Sequence, residues 1–200
     1  PGRTHLQGIM EAAGRAVAAR TGPRLIYTAL ELGGKNPFIV MADADIDRAV
    51  EAVIRACFIN AGQTCVGPER ILVQRSIHDT FRDKLVARVE RIRMGRGLTF
   101  DFEMGCLIDA KQLASVSAQV DDAVAKGATV LTGGRPRPDI GPTFYAPTVL
   151  GVRIARSRGT GTAGFALIQL INGARWSRIA RACPGGGWHP PRPSRWPLRT

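Results

Sequence analysis

The chain has 200 residues, with 28 Lys and Arg against 16 Asp and Glu and a formal net charge of +12 at pH 7. It contains no apolar run of about eighteen residues and no charged-then-apolar-then-small leader, which argues against a membrane span and a secretory signal and points to a cytoplasmic protein. Its four cysteines (Cys57, Cys65, Cys106, Cys183) form no C-x-x-C pair, and His5, His78 and His189 are scattered, so neither a disulfide framework nor a metal site is expected.

Through residue 150 the pattern alternates between helix and strand. Residues 10–20 read as an Ala-rich helix, and 24–30 and 37–41 as short strands. Asp43-Ala44-Asp45 reads as the cap of a helix over 46–59. In that helix Ile46, Val50, Val53, Ile54, Cys57 and Phe58 recur at spacings of three and four, which turns Cys57 toward the core and makes it a structural cysteine. Residues 71–74 read as a strand. Residues 76–79 resemble a capping box opening a helix whose Ile77, Phe81, Leu85, Val89 and Ile92 form one stripe. A further helix is predicted over 109–126, closed by Gly127 and followed by a strand over 128–131. Such alternation argues an α/β fold with a mainly parallel sheet.

Beyond Leu150 the composition changes. Residues 151–200 hold nine Arg but no Lys, Asp or Glu, so the tail carries +9; the first 150 residues, with 19 basic and 16 acidic groups, carry only +3. All three Trp (Trp176, Trp188, Trp196) lie in the tail, with Gly185-Gly186-Gly187 and a Pro-Arg run at 190–197. Arg, Gly, Pro and Trp without Lys is what GC-rich DNA yields when translated out of frame, and the tail is read as an aberrant, disordered frameshift product. Only 165–176 could order, since Pro-rich sequence sustains neither a helix nor a central strand. A chain this basic suggests a polyanion partner in general, and Arg with interleaved Trp could stack on single-stranded bases. Because the charge is confined to one segment, no specific nucleic acid and no membrane is expected as a partner. With the downstream strands lost, Val120, Val124 and Val130 are expected to stand exposed.

Two short motifs carry the chemistry: Glu31-Leu32-Gly33-Gly34-Lys35 and Gly62-Gln63-Thr64-Cys65. Each sets a reactive side chain beside glycines, which permit close approach and left-handed backbone. A thiolate attacks a carbonyl, and a nearby carboxylate can then activate the water that releases the acyl group. Taken alone, a Glu before Gly-Gly also suits a plain turn, and a Cys also suits buried packing.

Their order and surroundings decide between these readings. LELGGKNP at 30–37, FINAGQTC at 58–65, the Pro68-Glu69-Arg70 that opens an apolar run, Gly133-Gly134 and FYAPTVL at 144–150 together resemble the aldehyde dehydrogenase superfamily. Gly97, Asp101, Met104 and Gly105 follow a further family element loosely, with Cys106 in place of its usual proline. The likeness to succinate-semialdehyde dehydrogenases is a weak lead on substrate.

The resemblance implies the aldehyde dehydrogenase fold, a Rossmann-like parallel sheet with flanking helices. Residues 1–32 would be the end of the cofactor-binding domain and 33–150 the front of the catalytic domain. It implies Cys65 as nucleophile and Glu31 as the base for deacylation, Gly2, Leu32 and Gly33 beside the cofactor, NAD or NADP as that cofactor, and a small-molecule aldehyde as substrate. It implies further that the backbone N–H of Cys65 would form half of an oxyanion hole. A CoA-acylating relative would lack the glutamate base, so Glu31 disfavours that route. Intact family members are homo-oligomers. The family's oxyanion Asn, ribose-holding Lys and E-E-x-F-G-P element are not found here, so the chain is expected to be truncated and inactive alone. A noncatalytic remnant and a basic-tailed nucleic-acid binder are the alternatives.

Overall fold

The structure, a computed structural model, describes residues 9–99, 101–152 and 165–171. It begins with α1 (Ile9–Thr21), whose residues 15–20 are exposed. A short 3-10 turn, Gly22–Arg24, then ends on Leu25 in the left-handed region at φ 52°. The strand predicted over 24–30 does not form: Leu25 and Tyr27 are 95% and 90% exposed. A strand needs a neighbour for its N–H and C=O groups, and none of the described strands pairs with this segment.

Strand β1 (Asn36–Val40) leads into α2 (Ile46–Phe58), where the Asp45 carboxylate accepts the Arg48 N–H at 3.1 Å as N-cap. The predicted stripe is observed, with Val50, Val53, Ile54, Cys57 and Phe58 all buried. Strand β2 (Pro68–Gln74) begins three residues earlier than predicted and alternates strictly, so that Glu69, Ile71 and Val73 all point inward. Instead of a capping box, a 3-10 turn over Arg75–Ile77 precedes α3 (His78–Val89), whose N-cap Ile77 makes no side-chain bond. Of the predicted stripe, Phe81, Leu85 and Val89 are buried within α3, Ile92 is buried just past its end, and Ile77 is half-buried in the turn before it.

Helix α4 (Ala110–Ala125) is capped by Asp109, which accepts the Gln112 N–H at 2.6 Å, and closed by Gly127 at φ 90°. Its Val116, Val120 and Ala123 are buried, which corrects the expected exposure of Val120; Val124 and Val130 are exposed, at 46% and 38%. Val120 lies on the inward stripe of α4, whereas Val124 is one turn further on, next to the helix end. Strand β3 (Thr129–Thr132) follows and runs into Gly133 and Gly134, both left-handed at φ 80° and 73°. A Cβ on Gly133 would lie 2.2 Å from the Pro147 carbonyl oxygen, so here only glycine fits. Buried Thr148 accepts the Gly134 N–H and donates to the Ala146 carbonyl, each at 2.8 Å.

Strands β4 (Thr148–Val152) and β5 (Phe165–Ile171) complete a five-stranded sheet in the order β1-β2-β5-β4-β3. The α/β architecture is the one expected, and the sheet is mixed: β1 and β2 pair in parallel, while β2–β5, β5–β4 and β4–β3 are antiparallel. The stretch of the tail singled out as able to order thus supplies the middle strand, in keeping with the β-branched and apolar sequence FALIQLI. The rest of 151–200, apart from residues 151, 152 and 165–171, lies outside the described residues.

One core unites these elements. Val40, Val53, Cys57, Phe58, Ile71, Phe81, Leu85, Val120 and Leu150 belong to a single buried cluster. Cys57 is wholly buried, and burial pushes its thiol up to about 12; burial likewise raises Tyr145 to about 12. A group that must stay protonated in the native state contributes stability below its unfolded value and loses it as pH rises toward the folded one. For Cys57 that window runs from its ordinary 9.0 to about 12. Lys35, lowered to about 8 by burial and then by the charge of Arg70, acts with the opposite sign between pH 8 and its ordinary 10.5. Comparing unfolding midpoints of the wild type and Cys57→Ala across pH 8 to 12 cancels the Lys35 contribution. The wild type should lose stability more steeply above pH 9, and parallel curves would mean that Cys57 ionises freely in the folded chain.

Candidate active site

The cysteine loop begins where α2 ends. Asn60 and Ala61 both take left-handed backbone, at φ 51° and 52°, and Gly62 follows at φ 70°. Three such residues in succession turn the chain sharply out of the helix, and the turn is pinned locally: the Gln63 N–H donates to the Asn60 carbonyl at 3.1 Å. The Gln63 side chain extends the pinning to a second loop, donating to the Cys106 carbonyl at 3.3 Å and accepting the Ile108 N–H at 2.9 Å. Cys65 then falls at the second position of a turn closed by Gly67 N–H to Thr64 C=O at 3.3 Å. That position leaves Cys65 exposed, while Cys57, eight residues earlier, is buried.

The glutamate segment meets this loop from the other side. Gly34 lies so close that a Cβ there would be 3.2 Å from the Cys65 carbonyl oxygen. The Asn36 amide donates to the Cys65 carbonyl at 2.9 Å and to the Gly67 carbonyl at 3.4 Å. Lys35 pairs with Glu69, which is only 3% exposed, and Arg70 donates to the Lys35 carbonyl at 2.6 Å. Two segments 34 residues apart are therefore fastened by an ion pair and three side-chain hydrogen bonds.

Glu31 is exposed at the approach to this junction, and the fastening contacts are made by Gly34, Lys35 and Asn36. Leu32 is half-buried, its methyls against Gly14, where a Cβ would come within 2.9 Å. Gly33 is open, with φ 101° and nothing within 4 Å of a Cβ position. Gly2 lies outside the described residues. Among the described residues no group of three or more His, Cys, Asp or Glu is placed to hold a metal, and no helix is long and apolar enough to cross a membrane.

Sequence reasoning quoted Lys35, Asn36, Gln63 and Glu69 within its motifs but gave none of them a role. For Glu69 a signal was present: it shares the inward register of Ile71 and Val73, and a carboxylate at such a position needs a cation. A cavity of about 450 Å³ lies elsewhere, between Val89, Ile92, Met94, Thr132, Arg135 and Arg137. It shares no residue with the cysteine loop.

Residues 10–157 match the sequence pattern of the Aldehyde dehydrogenase family. The chain belongs to that family. A Mycolicibacterium smegmatis protein provisionally named succinate-semialdehyde dehydrogenase [NADP(+)] is 52% identical over 139 residues, which is 70% of this chain and 27% of that protein. The glutarate-semialdehyde dehydrogenase of Pseudomonas aeruginosa is 45% identical over 137 residues, 68% of this chain and 28% of its own length. Among solved structures, succinate-semialdehyde dehydrogenase from Burkholderia pseudomallei superposes with a TM-score of 0.66 at 43% identity, covering 71% of this chain and 30% of that one. Betaine aldehyde dehydrogenase from Staphylococcus aureus in complex with NAD+ superposes with a TM-score of 0.66 at 37% identity, covering 70% of this chain and 28% of its own. The chain thus spans a little over a quarter of the length of its curated relatives.

Proposed function

We propose that this chain carries the thiol and the carboxylate of an NAD(P)-dependent aldehyde dehydrogenase, with Cys65 as nucleophile and Glu31 as deacylating base. The observation that supports it most is the presentation of Cys65: exposed, at a turn held rigidly to the segment that bears Glu31. In the proposed sequence the Cys65 thiolate adds to the aldehyde carbon, giving a thiohemiacetal whose oxyanion is met by the Cys65 N–H. Leu32, Gly33 and Gly2 are the residues of this chain that would lie beside NAD(P)+, a cofactor that would supply the hydride acceptor for oxidation of the thiohemiacetal to the thioester. Water deprotonated by Glu31 then hydrolyses the thioester, releasing the acid and restoring the thiol. Residues 1–32 are assigned to the end of the cofactor domain and 33–150 to the front of the catalytic domain. A small semialdehyde is the favoured substrate class, on the names of the relatives. For the 200 residues alone we expect thiol chemistry without turnover.

Two measurements test this reading. Iodoacetamide followed by peptide mass spectrometry should label Cys65 faster than Cys106 and much faster than Cys57; preferential labelling of Cys57 would sink the assignment. Activity is read in a chimera in which residues 10–157 replace the matching stretch of the 52% identical relative. Cys65→Ala should abolish NADPH formation there. Glu31→Gln should keep a first-turnover burst and slow the steady state, and equal loss of both phases would give Glu31 a role in activating the thiol instead.

A further inference from the structure

We propose that Asn36 is a positioning residue for Cys65, holding the turn that presents the thiol and neutralising the dipole of the Cys65 carbonyl. The proposal rests on the reading of Cys65 as nucleophile. Its starting point is a gap in the ladder between β1 and β2. These strands open at Asn36 opposite Pro68, with an irregularity in register between Asn36 and Pro37. Neither Pro37 nor Pro68 has an N–H to donate. The carbonyls of Cys65 and Gly67 therefore meet a side chain, the Asn36 amide, at 2.9 and 3.4 Å.

An amide suits this place better than its near relatives. Its NH2 carries two donors and can serve two carbonyls at once, whereas a serine hydroxyl has one and an aspartate carboxylate none. Lys35 pairs with Glu69 and Arg70 holds the Lys35 carbonyl, while the Asn36 amide bonds to the residue that bears the thiol. With the amide gone, the Cys65 carbonyl presents its negative end next to its own side chain, and the thiolate becomes harder to form. An aspartate in its place adds a full like charge.

The test is the iodoacetamide rate of Cys65 relative to Cys106 in the same chain, followed from pH 6 to 10, with Cys57 as the internal gauge of unfolding. In Asn36→Ala the ratio at neutral pH should fall roughly threefold or more, because the reactive species is the thiolate. It should fall further in Asn36→Asp, while Cys57 stays protected in both. The half-maximal pH of Cys65 labelling should rise in the same order. A ratio unchanged in both variants overturns the positioning role while leaving the nucleophile reading intact. So does a fall accompanied by Cys57 labelling in both variants, which would make Asn36 merely structural. A wild-type ratio at or below one overturns the nucleophile reading itself.

Discussion

Lys35→Met is expected to lower the free energy of unfolding by roughly 3–5 kcal/mol, the usual cost of stranding one member of a buried ion pair. The stranded group is Glu69, 3% exposed and inward-pointing on β2. The companion variant Lys35→Met/Glu69→Leu removes both charges and should recover most of the loss, since replacing a buried pair by apolar groups is often neutral. Urea titration checks both, provided the slope with denaturant is unchanged. Acidification should narrow the gap between Lys35→Met and the wild type by neutralising the stranded carboxylate. A loss of less than about 1 kcal/mol in the single variant would show that water already solvates Glu69.

Gly133→Ala is the second change expected to be severe. Left-handed backbone costs a residue with a Cβ about 1–2 kcal/mol, and overpacking adds about 1–3 kcal/mol more. The clash here is with backbone, since the new Cβ would sit 2.2 Å from the Pro147 oxygen and 2.9 Å from its carbonyl carbon. Relief would require β3 and β4 to separate where their register is already irregular, between Val130 and Thr132. Gly127→Ala provides the control: it also has positive φ, at 90°, but nothing lies within 4 Å of its Cβ position. Thermal unfolding should therefore show a modest loss for Gly127→Ala and a loss at least twice as large for Gly133→Ala. Equal losses would mean that the backbone conformation alone, and not the contact with Pro147, fixes glycine at 133.

The parts of this structure legible in the sequence are those that depend on local chemistry. The stripe of α2 assigned Cys57 to the core because helical spacing is a local property, and Asp45, Asp109 and Gly127 marked helix ends for the same reason. The segment 24–30 read as a strand because Leu25, Ile26 and Tyr27 favour extended backbone, but a strand forms only beside a partner. Antiparallel pairing of three of the four strand pairs was likewise out of reach, since it depends on where β5 enters and from which end. At the site, the motifs pointed to Cys65 and Glu31 but not to the contacts that fasten their segments together. Asn36 looks like an ordinary polar residue before a proline until the fold brings Cys65 to it.

The place of β5 has a consequence for how the molecule is made. In sequence it is the last strand described, yet in the sheet it is the only bridge between the ribbon β1–β2 and the ribbon β3–β4. During synthesis both ribbons exist before residue 171 has been added, each only two strands wide, and a two-stranded ribbon is marginal in water. Hydrogen bonding across the sheet can close only from its carboxyl-terminal side, after the flanks are already waiting with open edges. Nascent chains stalled before residue 165 would therefore offer two docking edges to neighbouring chains, and the interval before β5 arrives is when this protein is most exposed to misassembly.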